Sequence, residues 1–293
     1  MLTNIAALLF VSFGWGTAFV FIKYAEETVS PLTVQSVRAT IGFISLLLLS
    51  LLLRKDIRGH AKHWFAFLIF AIFGVAFLWL VVGLGQEYVS AGLTSVLVTV
   101  APMITFILTV FILKSEPFSF KGLAGLLVGI AGLLMVVGIN NILSGGSTLT
   151  GVLLIASGFA VFGINGVFAS RLATGTDPLV STTYYVGMAV VIMWVFSFIF
   201  EKPLESEFSL KFMLAEMYMG IVCFAAAFVV YYWLLNRAGA FFSSLSLYLV
   251  PVMGVGSSYV ILGEKVTYTQ IAGILIVFLG VYLINNKKTE KGQ

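Results

Sequence analysis

Apolar residues in this chain do not alternate with polar ones; they gather in runs of about 20, the length a helix needs to cross a hydrocarbon core. Short breaks carrying charge, Gly, Pro or Asn separate the runs. Cutting there predicts ten helices: Thr3 to Tyr24, Pro31 to Leu53, Trp64 to Leu84, Ala91 to Leu113, Ser119 to Gly138, Leu149 to Arg171, Leu179 to Phe200, Phe212 to Leu235, Ala240 to Leu262 and Thr267 to Asn285. No connection is long enough to hold a soluble domain. The pattern predicts an all-α membrane protein with ten transmembrane helices.

Two runs, VTVAPMITFILTVFIL and SLYLVPVMGVGSSYVIL, carry a proline mid-span, Pro102 and Pro251. Proline removes a backbone donor and obstructs the carbonyl four residues earlier, which costs a soluble helix ~3 kcal/mol. The two positions correspond. Ala91, Ser95, Pro102 and Thr109 fall on Ala240, Ser244, Pro251 and Ser258 at one constant offset; after one deleted residue Glu116, Gly125 and Gly132 fall on Glu264, Gly273 and Gly280. Earlier in each half Gly16, Pro31 and Arg38 fall on Gly163, Pro178 and Tyr185. The chain therefore reads as a duplication, 1–140 and 141–293, with five helices in each repeat. An odd number of spans makes the second repeat enter the membrane from the opposite side, so the repeats are inverted. Matched interruptions in inverted halves point to a transporter's substrate site and make Pro102 and Pro251 candidate hinges; simple packing kinks are the alternative.

Composition agrees: 60% of the residues are hydrophobic and 10% charged, against ~25% charged in soluble domains. Charge then orients the chain. One set of loops holds Arg54, Lys55, Arg58, Lys62, Lys114, Lys121, Arg171 and Arg237, with Lys287, Lys288 and Lys291 in the tail; the other is rich in glutamate, including Glu26, Glu87, Glu201, Glu205 and Glu264. By the positive-inside rule both termini are cytoplasmic. The N-terminal run lacks a basic leader region and reads as a retained first span. The lone Cys223 allows no disulfide within the chain and reads as a small buried hydrophobe.

Candidate binding residues are polar or aromatic groups set deep in the spans. Ser95, Thr99, Pro102, Thr105 and Thr109 share one face of the fourth span; Ser244, Tyr248, Pro251 and Ser258 repeat the stripe in the ninth. Such stripes either bond helix to helix or line a cavity. Thr99 and Tyr248 stand beside carbonyls, Val98 and Leu247, that the prolines expose. Trp15, Trp79 and Tyr231 lie within spans, and rings there would suit planar or cationic organic molecules. Trp64 and Trp233 lie near span ends and read as an interfacial belt. Arg38 lies seven residues inside the second span. It reads either as an outer-gate ion pair, with Glu87 or Glu264 available, or as a counter-charge for a substrate carboxylate. Lys23 reads as snorkelling to the interface.

Catalytic chemistry finds no support, for no titratable constellation or Ser/His/Asp set is apparent. His60 and His63 belong to a basic interfacial loop and not to a metal site. Gly122, Gly125, Gly129 and Gly132 form a smooth packing face, with no strand or Walker lysine to make a nucleotide loop. The expected partners are a small-molecule substrate and the lipid bilayer, with no nucleic acid, no metal and no cofactor. Every acidic residue reads as lying in a loop or near a span end, Glu216 being the most embedded, which predicts transport by exchange or down a gradient without an obligatory proton.

The segments FGWGTAFVFIKY, SPLTVQSVRATIGF and SAGLTSVLVTVAPMITFILTVFILKSEPFSFKGLAGLLVGIAGLLMV resemble the ten-helix EamA family of the drug/metabolite transporter superfamily. The match AGAFFSSLSLYLVPVMGVGSSYVILGEKVTYTQIAGILIVFLGVYLI in the second half is stronger. The resemblance implies an inner-membrane carrier with a central cavity, five-plus-five inverted repeats and metabolites or amino acids as cargo, often exported. The sequence departs from symmetry where Trp15, Lys23 and Arg38 face Phe162, Ser170 and Tyr185. A lipid-linked sugar flippase, or a non-transporting enzyme or assembly subunit, is the alternative reading.

Overall fold

In the computed structural model, residues 2–114, 117–138, 146–172 and 177–285 are described. Every regular element among them is helical. Among the described residues, eight helices are long and apolar enough to cross a membrane, and two shorter apolar helical segments run over Leu249–Leu262 and Tyr268–Leu283. The protein is a multi-pass membrane protein.

Helix α1 spans Leu2–Ala25 and α2 spans Pro31–Leu52. The third run is compound: α3 (Trp64–Ile69), a π-helical stretch (Phe70–Ala76) and α4 (Phe77–Gln86). So is the fourth, with α5 (Ala91–Leu97), α6 (Val100–Ile107) and a π-helical stretch (Leu108–Ile112). Then follow α7 (Phe120–Val137), α8 (Ser147–Leu172) and α9 (Pro178–Phe200). The rest is α10 (Leu210–Met217), a π-helical stretch (Tyr218–Ala226), α11 (Ala227–Ser257), a π-helical stretch (Ser258–Leu262) and α12 (Tyr268–Asn285).

Local chemistry sets the starts. Pro31 and Pro178 occupy the first helical turn, where a missing N–H costs nothing. Ser90, Ser119 and Ser209 accept the N–H groups of Leu93, Gly122 and Phe212, and Asp177 accepts those of Leu179 and Val180. The break at Val98–Thr99 is where Pro102 obstructs the Val98 carbonyl. That carbonyl is not left open, however, because the Ala101 N–H donates to it at 3.1 Å. Pro251 lies inside α11 without an interruption beside it.

The expected break between the eighth and ninth spans, Leu235 to Ala240, is helical. No proline lies there, and one glycine costs a helix only ~1 kcal/mol. The chain still reverses within α11. A Cβ added to Gly14 would touch Ala227 and Cys223 at 3.6 Å, whereas one on Gly16, two residues away, would meet Met253 Cβ at 2.6 Å and the Val250 carbonyl at 2.9 Å. A straight helix would carry Val250 roughly 35 Å from Ala227 at 1.5 Å per residue. The two arms of α11 therefore pack on different faces of α1.

Glycines mark the close crossings, where a side chain would separate the helices. Gly16 of α1 seats on the carbonyl of Val250, the residue before Pro251; Gly163 of α8 seats on that of Ala101, the residue before Pro102, where an added Cβ would lie 2.5 Å away. Helix α7 lies against α12, α2 against α9, and α4 against α8. One apolar core gathers around Phe19, Ile22, Leu97, Phe106, Met219 and Val250, and a second around Leu46, Val186, Met193 and Phe224.

Candidate functional site

A helix crossing lipid has no water to satisfy its polar groups, so buried polar side chains mark where the interior differs from packing. They converge between α1, α2, α4 and the α10 run. Arg38 is 3% exposed, with its guanidinium carbon 3.7 Å from the centre of the Trp79 ring. Glu216 is fully buried on the α10 run, which meets α2 where Gly220 packs on Ile41 and Gly42. Arg38 and Glu216 do not bond: both Glu216 oxygens and Arg38 Nη1 lack a hydrogen-bond partner, and no ion pair joins them. Gln35, its amide atoms likewise unpartnered, packs on Gly83, and Gln86 Nε2 donates to the Phe19 carbonyl at 2.9 Å. The Thr17 hydroxyl and Tyr218 OH lie 2.8 Å apart, and the Tyr218 ring packs at a tilt on Phe21 with centres 4.5 Å apart.

Trp15 and Tyr231, both part-buried, meet at a tilt with ring centres 5.3 Å apart, and Phe228 meets Trp15 edge-on at 5.7 Å. Trp79 reaches toward Phe19 at 6.5 Å. The structure thus places Arg38 with Trp79 and Trp15 with Tyr231. Thr99 is buried, but its hydroxyl is spent on the Val96 carbonyl at 2.7 Å, as Ser95 is on Gly92. Both serve their own helix. The side chains of Tyr248 and Ser244 lie outside the described residues.

Three sequence expectations change. Of the partners expected for Arg38, Glu264 is engaged with the Ala91 and Gly92 N–H groups, and among the described residues no ion pair joins Arg38 to Glu87 or Glu264. Glu216, read from the sequence as near-terminal, is enclosed because Gly220 lets α2 approach to Ile41 and Gly42. Lys23 does not snorkel free; its ammonium donates to the Gln86 carbonyl at the end of α4.

Each end of the bundle carries its own fastening. At the glutamate-rich end, Glu201 accepts the N–H groups of Leu32 and Thr33 at 2.9 and 2.8 Å, and Glu264 accepts those of Ala91 and Gly92 at 2.8 and 3.1 Å. Both carboxylates thereby cap helix starts, where the dipole favours negative charge. A vestibule of about 890 Å³ opens there, lined by Thr28, Ser30, Glu201, Glu205 and Glu207. Burial pushes the Glu26 carboxyl well above the usual range; Lys23 opposes this, and the charges of Glu87, Glu201 and Glu216 add to it. At the basic end, Lys55 pairs with Asp177 at 2.7 Å, the Asp177 N–H donates to His60 Nε2 at 3.0 Å, and Tyr184 OH donates to the Ile57 carbonyl at 3.0 Å. Burial works against the Asp177 carboxylate, but Lys55 and the N–H groups of Val180 and Leu179 outweigh it and hold it below its ordinary range. Among the described residues no cluster of three or more metal-ligating side chains occurs.

The model of the EamA-like transporter family matches residues 2–138 and again 149–286. The chain belongs to that family. A Bacillus subtilis EamA relative, the uncharacterized transporter YoaV, is 27% identical, covering 97% of each chain. An uncharacterized transporter of Archaeoglobus fulgidus is 24% identical over 94% of this chain and 95% of its own. A WAT1-related chloroplastic protein of Arabidopsis thaliana is 25% identical over 93% of this chain and 67% of its own length. A solved structure, titled only as a crystal structure of a protein, shares the fold with a TM-score of 0.68 at 15% identity, covering 97% of this chain and 96% of its own. The Bacillus and Archaeoglobus relatives are named as transporters, as is the family whose model matches this chain.

Proposed function

We propose that this EamA-family protein is a secondary transporter of small organic metabolites that works by alternating access, with no catalytic step. The reading comprises ten spans in two inverted five-helix repeats, 1–140 and 141–293, in the cell's inner membrane with both termini cytoplasmic. Its cargo is amino acids or amphipathic and aromatic compounds, moved outward. The observation that carries it is the reciprocal seating of Gly16 on Val250 and Gly163 on Ala101. Each contact joins a glycine of one half to the carbonyl before the other half's proline, the relation a pseudo-two-fold axis would impose. The π-helical stretches support it further, since they fall in corresponding runs, third with eighth and fourth with ninth. Arg38, Trp79, Trp15 and Tyr231 are the proposed substrate contacts described here. Arg38 acts as counter-charge to a substrate anion.

Reconstitution of the full chain into liposomes and a metabolite-panel flux screen tests the reading. At least one organic anion or zwitterion should exchange across the membrane, and Arg38→Gln should reduce that flux by ten-fold or more while the protein still inserts. Well-folded protein that moves no member of a broad panel contradicts it.

A further inference from the structure

We propose that Arg38 and Glu216 form a two-ended receptor for a zwitterion, Arg38 taking the carboxylate and Glu216 the ammonium group. The proposal rests on the transporter reading and adds to it a second binding pole, on a residue whose sequence position had suggested a span end.

A buried charge without a partner is among the least tolerable features of a protein interior, and here two of opposite sign lie near each other. Each has an unsatisfied bonding atom: Nη1 on Arg38, both oxygens on Glu216. They stand on helices that meet where Gly220 packs on Ile41 and Gly42, each glycine one turn after its charged residue, yet no hydrogen bond or ion pair joins them. A ligand that satisfies both offers an acceptor at one end and a donor at the other. An anion alone would satisfy Arg38 and leave Glu216 bare; a cation alone would do the reverse. A molecule carrying both groups satisfies both. Trp79, with its ring centre 3.7 Å from the guanidinium carbon, holds the Arg38 head in place by cation–π attraction.

The test uses purified full-length protein and ligands in matched triples: an amino acid, its deaminated acid and its decarboxylated amine, for methyl, isobutyl and benzyl side chains. Binding is read from thermal stabilisation across a titration. In the wild type, one or more zwitterions should bind at least ten-fold tighter than both single-charge analogues. Glu216→Gln should remove the advantage over the deaminated acid while leaving binding of that acid within three-fold. N-acetylation of the amino acid, which removes the ammonium in the wild-type protein, should cost the same factor and requires no variant to fold. Equal affinity across every triple, no binding by any, or a zwitterion advantage that survives Glu216→Gln overturns the proposal. Flux of screened solutes without zwitterion preference would remove this site and leave the transporter reading standing; zwitterion preference without flux of any solute would do the opposite.

Discussion

Replacing Gly280 with leucine should leave little folded protein in the membrane. A Cβ added there would lie 2.5 Å from Gly129 Cα and 2.7 Å from the Gly125 carbonyl; at Gly132 it would lie 2.6 Å from the Val277 nitrogen and 2.7 Å from the Gly273 carbonyl. These neighbours are backbone and cannot turn aside. Between helices in lipid, attraction comes from close packing and not from expelling water, so separating α7 from α12 forfeits much of what joins them. Overpacking one site costs ~1–3 kcal/mol, and leucine at this crossing should reach or exceed the upper figure. Gly256→Leu is the control, because nothing lies within 4 Å of its added Cβ. Fluorescence-detected gel filtration should show the Gly280 variant aggregated and the Gly256 variant at wild-type yield. Equal yields would remove the α7 to α12 crossing from the account.

The second large effect is a coupling. Arg38 and Glu216 do not bond, so removing either costs less than the ~3–5 kcal/mol of breaking a formed buried ion pair, but it takes away the nearest opposite charge that offsets the survivor's burial. The two singles should differ. After Arg38→Met the surviving carboxylate can neutralise itself by taking a proton, whereas after Glu216→Leu the guanidinium cannot shed one. Glu216→Leu should therefore be the more destabilising, and the double variant should be less destabilised than the sum of the singles by about 1 kcal/mol or more. Thermal unfolding of the four proteins in one detergent measures this. Additive losses would mean that the two charges do not act on each other.

Much of the architecture is legible in the sequence because a membrane reduces folding to one dimension: apolar length fixes the helices, as with Pro31–Leu52 against the expected Pro31 to Leu53. The glycine and proline correspondences were visible as spacing, and their meaning emerged only when Gly16 and Gly163 were found on opposite crossings. Burial of Glu216 was not legible. In LKFMLAEM it follows Lys211 by little more than a turn, and only the approach of α2 over Gly220 encloses it. The fastening roles of Glu201 and Glu264 depend on helix starts far away in sequence, which composition cannot reveal. The polar stripe of the fourth span divides in a way spacing does not show: Ser95 and Thr99 donate to carbonyls of their own helix, whereas Thr105 donates to the Gly163 carbonyl across helices.

Alternating access requires contacts between the two halves to open at one end while they hold at the other. Helices α2 and α9 offer a place to stop each opening. Thr33 and Ser197 hydroxyls lie 2.8 Å apart toward the Glu201 end, and Ser50 and Thr183 hydroxyls 3.1 Å apart toward the Lys55 end. Cysteine pairs at those positions, in a Cys223→Ala background, should form disulfides that fasten one end each. The decisive measurement is exchange of labelled substrate in proteoliposomes before and after reduction. Either disulfide alone should abolish exchange, and reductant should restore it; full-rate exchange with both disulfides formed would contradict alternating access between these halves.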